Sequence, residues 1–561
     1  MKIQVQTLAK LKRLLYLHLS HPLLYLTLLT LILLLLNTKG ISHEATVSLQ
    51  GDMPRYLMNG VYFHDFFRDL PLTHPLTYTY HYYARYPALS LGHHPLLLGV
   101  AEAPFYALFG VSVFSARLTI IFFSLLGVVF WFGLIRLIYG ETVAFFSSLL
   151  WITTPFIVDS SRVVMSEIPT LALIIVTTYF FYQYLRLNQN KYLFTSAITL
   201  VLSAYAKHLA LFIVPIFLCY FILTKGIRKL FTKEMILVYF IVGVLLLPLV
   251  PLTLKFSQTN VTWVSSKAIS SKRSLSRVFL YYPKALWNHQ LTPPVLILSL
   301  VSMGLSLYRR EKQALLFWLW IIGFYLQTSY VVVKDPRYII YWIPAFCLFA
   351  ATPLHLPQHR SAKVLITSLL LLIAGYQFAL AFQSEPEYAQ GYEEAAKYVV
   401  ENPKGESVLF SANVDTGYFI FFVRKHDPLH RLIVLRADKV LATSRLSRIV
   451  EERIAQREQI YEILRDFGVG YVVLEDMAYP SAALEWLRQE VQGERFILRK
   501  KIPLKSNQDK LWGVSVNIYE YKDYQPAGRG KRLQMNIPLM GDSIGVEFDE
   551  LLDRKTSDVK R

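Results

Sequence analysis

Charge is scarce in this 561-residue chain: Asp, Glu, Lys and Arg make up 17% of it, against 54% hydrophobic residues and a mean hydropathy of +0.37. Such a balance does not suit a single soluble enzyme. Cysteine is scarcer still, and Cys219 and Cys347 both lie inside apolar runs. That excludes a disulfide framework and a thiolate metal site. No Gly-rich phosphate loop occurs, which argues against a nucleotide-sugar donor or an ATP-driven transporter. No nucleic-acid motif accompanies the formal charge of +19, which arises from 58 Lys and Arg against 39 Asp and Glu. Short cationic loops between apolar segments account for that excess instead, so no nucleic-acid partner is expected. There is no internal repeat.

What the chain does have is long apolar stretches. A hydrocarbon core takes about 20 residues to cross, and runs at 14–36, 116–138, 142–158, 168–185, 192–206, 209–224, 235–254, 291–308, 314–333, 338–354 and 364–382 are candidates. The expectation is an α-helical polytopic membrane protein with about 11 transmembrane helices. Lys2, Lys10, Lys12 and Arg13 precede the first run, which lacks a small-residue cleavage site, so it reads as a retained helix with a cytoplasmic N-terminus. Pro95–Phe109, broken by Gly99, Glu102 and Pro104, is short for a span and reads as an interfacial segment. The loops that then face the cytoplasm hold 12 basic residues, against 4 in the alternating set once the long loop 255–290 is left out.

On this topology residues 1–383 form a transmembrane catalytic module, with 37–115 as a long first external loop. Residues 384–523 alternate helix-like and strand-like patches: YEEAAKYVVEN, SVLFS, RLIVLRA, a charged helical run from Ser447 to Phe467, YVVLED and VSVNIYEYK. They predict an extracytoplasmic α/β domain. Residues 524–561 read as a flexible tail.

The first external loop carries six of the chain's 14 histidines (His43, His64, His74, His81, His93 and His94) and seven tyrosines between Tyr56 and Tyr86, a composition suited to a wet membrane interface. Asp52 lies near its start, in GDMPRY. A second acidic cluster, Asp159 to Glu167, occupies a short external connection, where charge beside a membrane is costly unless used or paired. Asp52 and Glu167 are expected to converge at one membrane face. The loop 255–290 offers Lys255, Lys267, Lys272, Arg273, Arg277 and Lys284 with no acid at all, a set able to gather an anionic lipid head group. His426 and His430 lack metal-ligand companions in sequence and are set aside, as is the Asn260-Val261-Thr262 sequon.

Asp52 followed by Arg55-Tyr56, His94-Pro95 leading into an apolar stretch, FGVSVFSARL, the Thr-Pro end of a run in TTPF, Arg162 five residues before Glu167, and a late KDPRY follow one another in an order that resembles the GT-C glycosyltransferases. The chain is most similar to family 39, the branch of the protein O-mannosyltransferases and of the aminoarabinose transferases that act on lipid A. The resemblance covers about residues 10 to 350. It implies a GT-C-like fold and transfer of a sugar from a polyprenyl-phosphate donor, with inversion, to a lipid, glycan or protein acceptor at the extracytoplasmic face of a cell membrane. By the resemblance Asp52 is the catalytic carboxylate. Met53 stands where the family has its second acid, so the helper role passes to Glu167. His94 with Pro95 matches an element associated with the lipid phosphate or a divalent metal, although Leu96 replaces a second proline. Arg337 and Tyr338 match a late Arg-Tyr element. Arg55, Tyr56, Arg162, Lys207 and Lys334 complete the substrate-binding candidates, because a departing phosphate must be met by cations and both Arg and Lys supply them. The competing readings are a transporter or flippase of lipid-linked glycans and a non-catalytic scaffold.

Overall fold

The structure is a computed structural model that describes residues 22–44, 52–91, 95–251, 275–331, 333–356, 359–413, 417–444, 450–479, 481–537 and 542–557. Contacts divide the chain into two compact units. One comprises Met1–Gly40, Ile120–Leu247 and Lys272–Glu385; the other comprises Ile41–Thr119, Pro248–Ser271 and Pro386–Arg561. The basic residues Lys255, Lys267, Lys272 and Arg273 lie outside the described residues, as does His94.

The first unit is helical. Among the described residues the apolar runs are helical over at least part of their length, including Pro22–Asn37, Asn190–Ala206, Lys233–Leu246, Pro293–Tyr308 and Leu315–Tyr330. Among the described residues, five helical stretches are long and apolar enough to cross a membrane by themselves: Val113–Tyr139, Glu167–Leu187, His208–Lys225, Pro336–His355 and Arg360–Gln383. Glu141–Thr153 and Pro155–Ser161 make a sixth when counted together, bent by 66° at the break. Pro155 causes the bend. It has no N–H to give back to the preceding turn, and it forces Thr154 out of the helical region to φ −60°, ψ 120°. The unit's interior is filled by large rings whose polar atoms are satisfied: Trp131 Nε1 donates to Ser147 Oγ at 2.9 Å and Trp320 Nε1 to the Tyr341 carbonyl at 2.7 Å. Arg162 is buried in the same unit. Its guanidinium donates to the carbonyls of Leu36, Ala381 and Ser384 at 2.8–3.1 Å, with Asp159 at 3.6 Å. Helix ends leave carbonyls unsatisfied, and one guanidinium here ties two such ends together.

The second unit contains a five-stranded sheet in the order Ile433–Arg436, Ser407–Ser411, Val469–Glu475, Ser515–Tyr521, Phe496–Pro503. The first three strands are parallel; Ser515–Tyr521 pairs antiparallel to both of its neighbours, so Phe496–Pro503 runs in the same direction as the first three. Continuous apolar runs such as Val469–Glu475, buried at every position, suit a sheet covered on both faces. The charged run after Ser447 is helical only over Glu458–Asp466, where Ile460 and Leu464 face inward; Val450–Glu452 pairs instead with Ala442–Ser444. The stretch after Tyr524, expected to be flexible, is ordered over most of its length. Arg532–Ile537 and Asp542–Glu547 form an antiparallel pair, and the helix Phe548–Ser557 follows. The reason is a period-two pattern among the charges: Leu533, Met535, Ile544 and Val546 are buried.

Also in this unit are the helices Met53–Asp69, Pro75–Arg85 and Leu97–Phe109. The last has 13 residues, fewer than a span needs. It packs on Met53–Asp69 at Gly60, where an added Cβ would collide with Glu102 and with Tyr106. Arg117, from the FGVSVFSARL motif, donates to the carbonyls of Ile41 and His43, 2.9 Å each. Asp65, wholly buried, accepts from Arg424 Nε at 2.8 Å and Tyr82 Oη at 2.8 Å, and pairs with His64 at 3.1 Å and His430 at 3.7 Å. Burial alone would raise its carboxyl, but the Arg424 guanidinium holds it well below the usual carboxylate range.

His430 responds the opposite way. Burial, and after it the positive Arg424, push its imidazole down to about 3. Unfolded, it would take up a proton near pH 6.5, so the unfolded chain binds more protons than the folded one between that pH and about 3. Stability is therefore lost as pH falls through this window, by at most about 1.4 kcal/mol per pH unit for this one group. The full-length protein is expected to melt at progressively lower temperature from pH 7 to pH 4, and His430→Asn should flatten the dependence. An unchanged slope in that variant would exclude His430 as its source.

Candidate active site

Four of the residues singled out in the sequence come together in the first unit. Glu167 is the first residue of the helix Glu167–Leu187, where the helix dipole favours a carboxylate. Lys207 stands in extended conformation between the helix Asn190–Ala206 and the 3-10 turn His208–Phe212. Its ammonium donates to Glu167 Oε1 at 2.6 Å. Arg337 opens the stretch Pro336–Trp342, and its Nε lies 3.7 Å from the same oxygen. The Tyr338 ring faces both cations, with Lys207 Nζ at 5.3 Å and Arg337 Cζ at 5.5 Å from its centroid. Such contacts favour a cation over an aromatic face.

Exposure divides this cluster. The Glu167 side chain is 4% exposed, those of Lys207 and Arg337 18% and 19%. The carboxylate is thus buried behind its cations, which retain a solvent-reachable side. Asp335 was not among the candidates, yet it supports Arg337 twice: Oδ1 accepts the Arg337 backbone N–H at 3.0 Å, and Oδ2 lies 3.4 Å from Arg337 Nε. Asp before Pro at a helix start is a capping signal, and the quoted KDPRY contains it. Asp335 thus adds a second carboxylate beside Arg337. Lys334, the neighbouring candidate, is directed elsewhere: it donates to the carbonyls of Thr328 and Ser329 and lies 5.1 Å from the Tyr282 centroid. Arg162 is likewise committed to helix-end carbonyls, as described above.

Asp52, Arg55 and Tyr56 belong to the second unit. Asp52 stands at the N-cap of Met53–Asp69 but makes no capping bond with its side chain. Its Oδ1 instead accepts from Arg55 Nη1 at 3.3 Å, and the side chain is 16% exposed. The backbone N–H groups of Arg55 and Tyr56 donate to the Asp52 carbonyl at 3.1 and 3.2 Å, and Tyr56 is buried. The result is a carboxylate held on a rigid helix start with Arg55 beside it. No group of three or more His, Cys, Asp or Glu able to hold a metal ion occurs among the described residues.

Residues 93–253 match the family described as "Dolichyl-phosphate-mannose-protein mannosyltransferase". No curated protein sequence matches the chain significantly. Solved structures do share its fold. ArnT from Cupriavidus metallidurans bound to undecaprenyl phosphate superposes with a TM-score of 0.59 at 12% identity, over 88% of this chain and 97% of that one. The Archaeoglobus fulgidus oligosaccharyltransferase in its apo form gives 0.52 at 13% identity, over 81% and 69%. The arabinofuranosyltransferase AftD from Mycobacteria gives 0.51 at 12% identity, over 92% of this chain and 40% of the larger one. Residues 93–253 thus resemble a mannosyltransferase family, and the chain shares its fold, a helical part with a strand-containing C-terminal region, with ArnT, the oligosaccharyltransferase and AftD.

Proposed function

We propose that the protein transfers a hexosyl or pentosyl group from a polyprenyl-phosphate donor to a hydroxyl of a lipid, glycan or protein acceptor, with inversion, at the extracytoplasmic face of a cell membrane. The observation that carries this reading is the Glu167, Lys207, Arg337 and Tyr338 cluster, assembled at the ends of membrane helices from three distant parts of the sequence. The capture of ArnT with undecaprenyl phosphate supports a donor of this class.

In the reaction, the acceptor oxygen attacks the anomeric carbon from the face opposite the phosphate. Its proton passes to the Asp52 carboxylate, and the carbon–oxygen bond to the phosphate breaks with its electron pair going to the phosphate. Asp52 serves as general base, a contribution of ~10² to 10⁴ in rate. Lys207 and Arg337 meet the charge that grows on the departing phosphate, Lys as a point charge and Arg through its planar fork. Glu167, bound through Oε1 by both, orients them. Arg55 holds the Asp52 carboxylate in place.

Purified full-length protein in lipid vesicles, incubated with a panel of polyprenyl-phosphate sugars and following free polyprenyl phosphate, tests the reading. One donor is expected to be consumed in step with formation of a product of inverted anomeric configuration. Movement of lipid-linked glycan across the vesicle wall with no sugar transferred from any donor would overturn it in favour of a flippase.

A further inference from the structure

Within the first unit, the helices Asn190–Ala206, Ile213–Lys225 and Lys233–Leu246 enclose a cavity of about 580 Å³, inside the ~300–1,000 Å³ range of ligand-sized sites. Its walls are almost wholly apolar, with Leu200, Leu218, Met235 and Val242 among them. At Gly243 an added Cβ would meet nothing within 4 Å, so helix backbone forms part of the open wall. The cavity reaches from Leu211 to Leu230, along most of the helix Ile213–Lys225. Side chains around such a space lose dispersion contacts unless an apolar guest supplies them. Its length and apolar lining suit a linear hydrocarbon chain.

One end of the cavity is charged. Leu230, buried there, belongs to the 3-10 turn Ile227–Phe231. Gly226, at φ +84°, ends the helix Ile213–Lys225 and turns the chain into it. Around Leu230 stand Ile227 and Phe231, 58% and 69% exposed, and the exposed cations Lys225, Arg228, Lys229 and Lys233. Glu234 is the one acid against these four between positions 225 and 234. Exposed apolar side chains beside cations suit the headgroup boundary, where the apolar groups enter the acyl region and the charges stay among phosphates. The start of the helix Lys233–Leu246 adds the positive end of its dipole at the same turn. The stretch His208–Lys225 is long and apolar enough to cross a membrane. Lys207 of the candidate active site precedes it and the basic turn follows it, so the turn lies at the opposite membrane face.

We propose that this groove binds one anionic glycerophospholipid from the leaflet opposite the candidate active site, with an acyl chain between the three helices and the phosphate at the basic turn. Charge complementarity selects the class. Basic pockets between membrane helices favour anionic head groups, and a zwitterionic lipid, which brings its own ammonium, gains less from four cations. A polyprenyl-phosphate donor would carry its phosphate to the other end of the groove, beside Lys207. The helix Asn190–Ala206 leads directly into Lys207, and a lipid that binds only the folded groove stabilises that helix by mass action.

The test titrates delipidated full-length protein in detergent with dioleoylphosphatidylglycerol or dioleoylphosphatidylcholine and counts bound lipid by native mass spectrometry. One phosphatidylglycerol per chain is expected, with a Kd about tenfold or more below that of phosphatidylcholine. Arg228→Gln combined with Lys229→Gln should raise the phosphatidylglycerol Kd about tenfold and leave that of phosphatidylcholine unmoved. Gly243→Phe, whose ring enters the groove where a Cβ meets nothing, should weaken both lipids. Both variants are expected to melt like the wild type in lipid-free detergent, since one alters exposed side chains and the other replaces a helical glycine. Equal affinities for the two lipids, unmoved by the paired Arg228 and Lys229 substitutions, would leave only ordinary annular lipid and overturn the site. Phosphatidylglycerol held at wild-type affinity by Gly243→Phe would mean a head group bound without the groove, and would overturn it equally. Displacement of phosphatidylglycerol by an equimolar amount of polyprenyl phosphate would give the groove to the donor tail instead.

Discussion

Asn at position 52 is expected to leave a folded protein that transfers sugar ~10² to 10⁴ times more slowly than the wild type, the range a positioned general base contributes. The substitution changes one oxygen to an amide nitrogen and keeps the shape. An acceptor hydroxyl holds its proton at neutral pH, so loss of the base leaves its oxygen a poor nucleophile. The pair of Asp52 with the one-third-exposed Arg55 is of the kind worth about 0–1 kcal/mol, so weakening it should cost little stability. The measurement is the initial rate of polyprenyl phosphate release set beside the melting temperature. A variant that melts like the wild type and retains more than about a tenth of its rate would remove Asp52 from the mechanism.

Replacing Arg337 by Met should lower kcat by ~10² to 10³, the loss seen when one preorganised donor to a developing anion is removed. Interpretation needs a second variant, because Arg337 also neutralises a buried carboxylate: with Met there, Glu167 keeps only Lys207. Breaking a buried pair by removing one partner costs ~3–5 kcal/mol, much of it the uncompensated charge. Arg337→Met combined with Glu167→Gln removes that charge. The double variant is expected to regain the melting temperature lost in the single one and to remain slow. Should turnover return with stability, Arg337 would be a counter-ion to Glu167 and nothing more. Arg337→Lys is expected to fall between, since an ammonium restores the charge without the planar fork that Asp335 and Glu167 now share.

The helical membrane class was legible because an apolar run satisfies its backbone groups in a bilayer only within itself; the expected count of about 11 spans was not matched, since among the described residues five stretches, or six with the bent pair, are long and apolar enough to cross alone. The strands Ser407–Ser411, Val469–Glu475 and Ser515–Tyr521 were legible for a related reason, as short apolar or alternating patches between turns. The hairpin Arg532–Ile537 with Asp542–Glu547 was not: its alternation is spread over two six-residue strands among many charges, and pairing rather than hydropathy makes it a sheet. A helix end is equally silent in sequence about which side chain will cover it. Arg162, chosen as a phosphate ligand, instead meets three carbonyls left over by two other helices.

The sequence by itself determined the membrane-spanning class, the alternating C-terminal domain and the short roster of acids and cations from which a transfer site could be made. Only the tertiary structure decided which of those charges meet. Glu167, Lys207 and Arg337 are separated by 40 and 130 positions. A charge buried beside a membrane must find its counter-ion wherever the packed helices and strands deliver one, and that delivery is set by the folding of the whole chain, not by the spacing of residues along it.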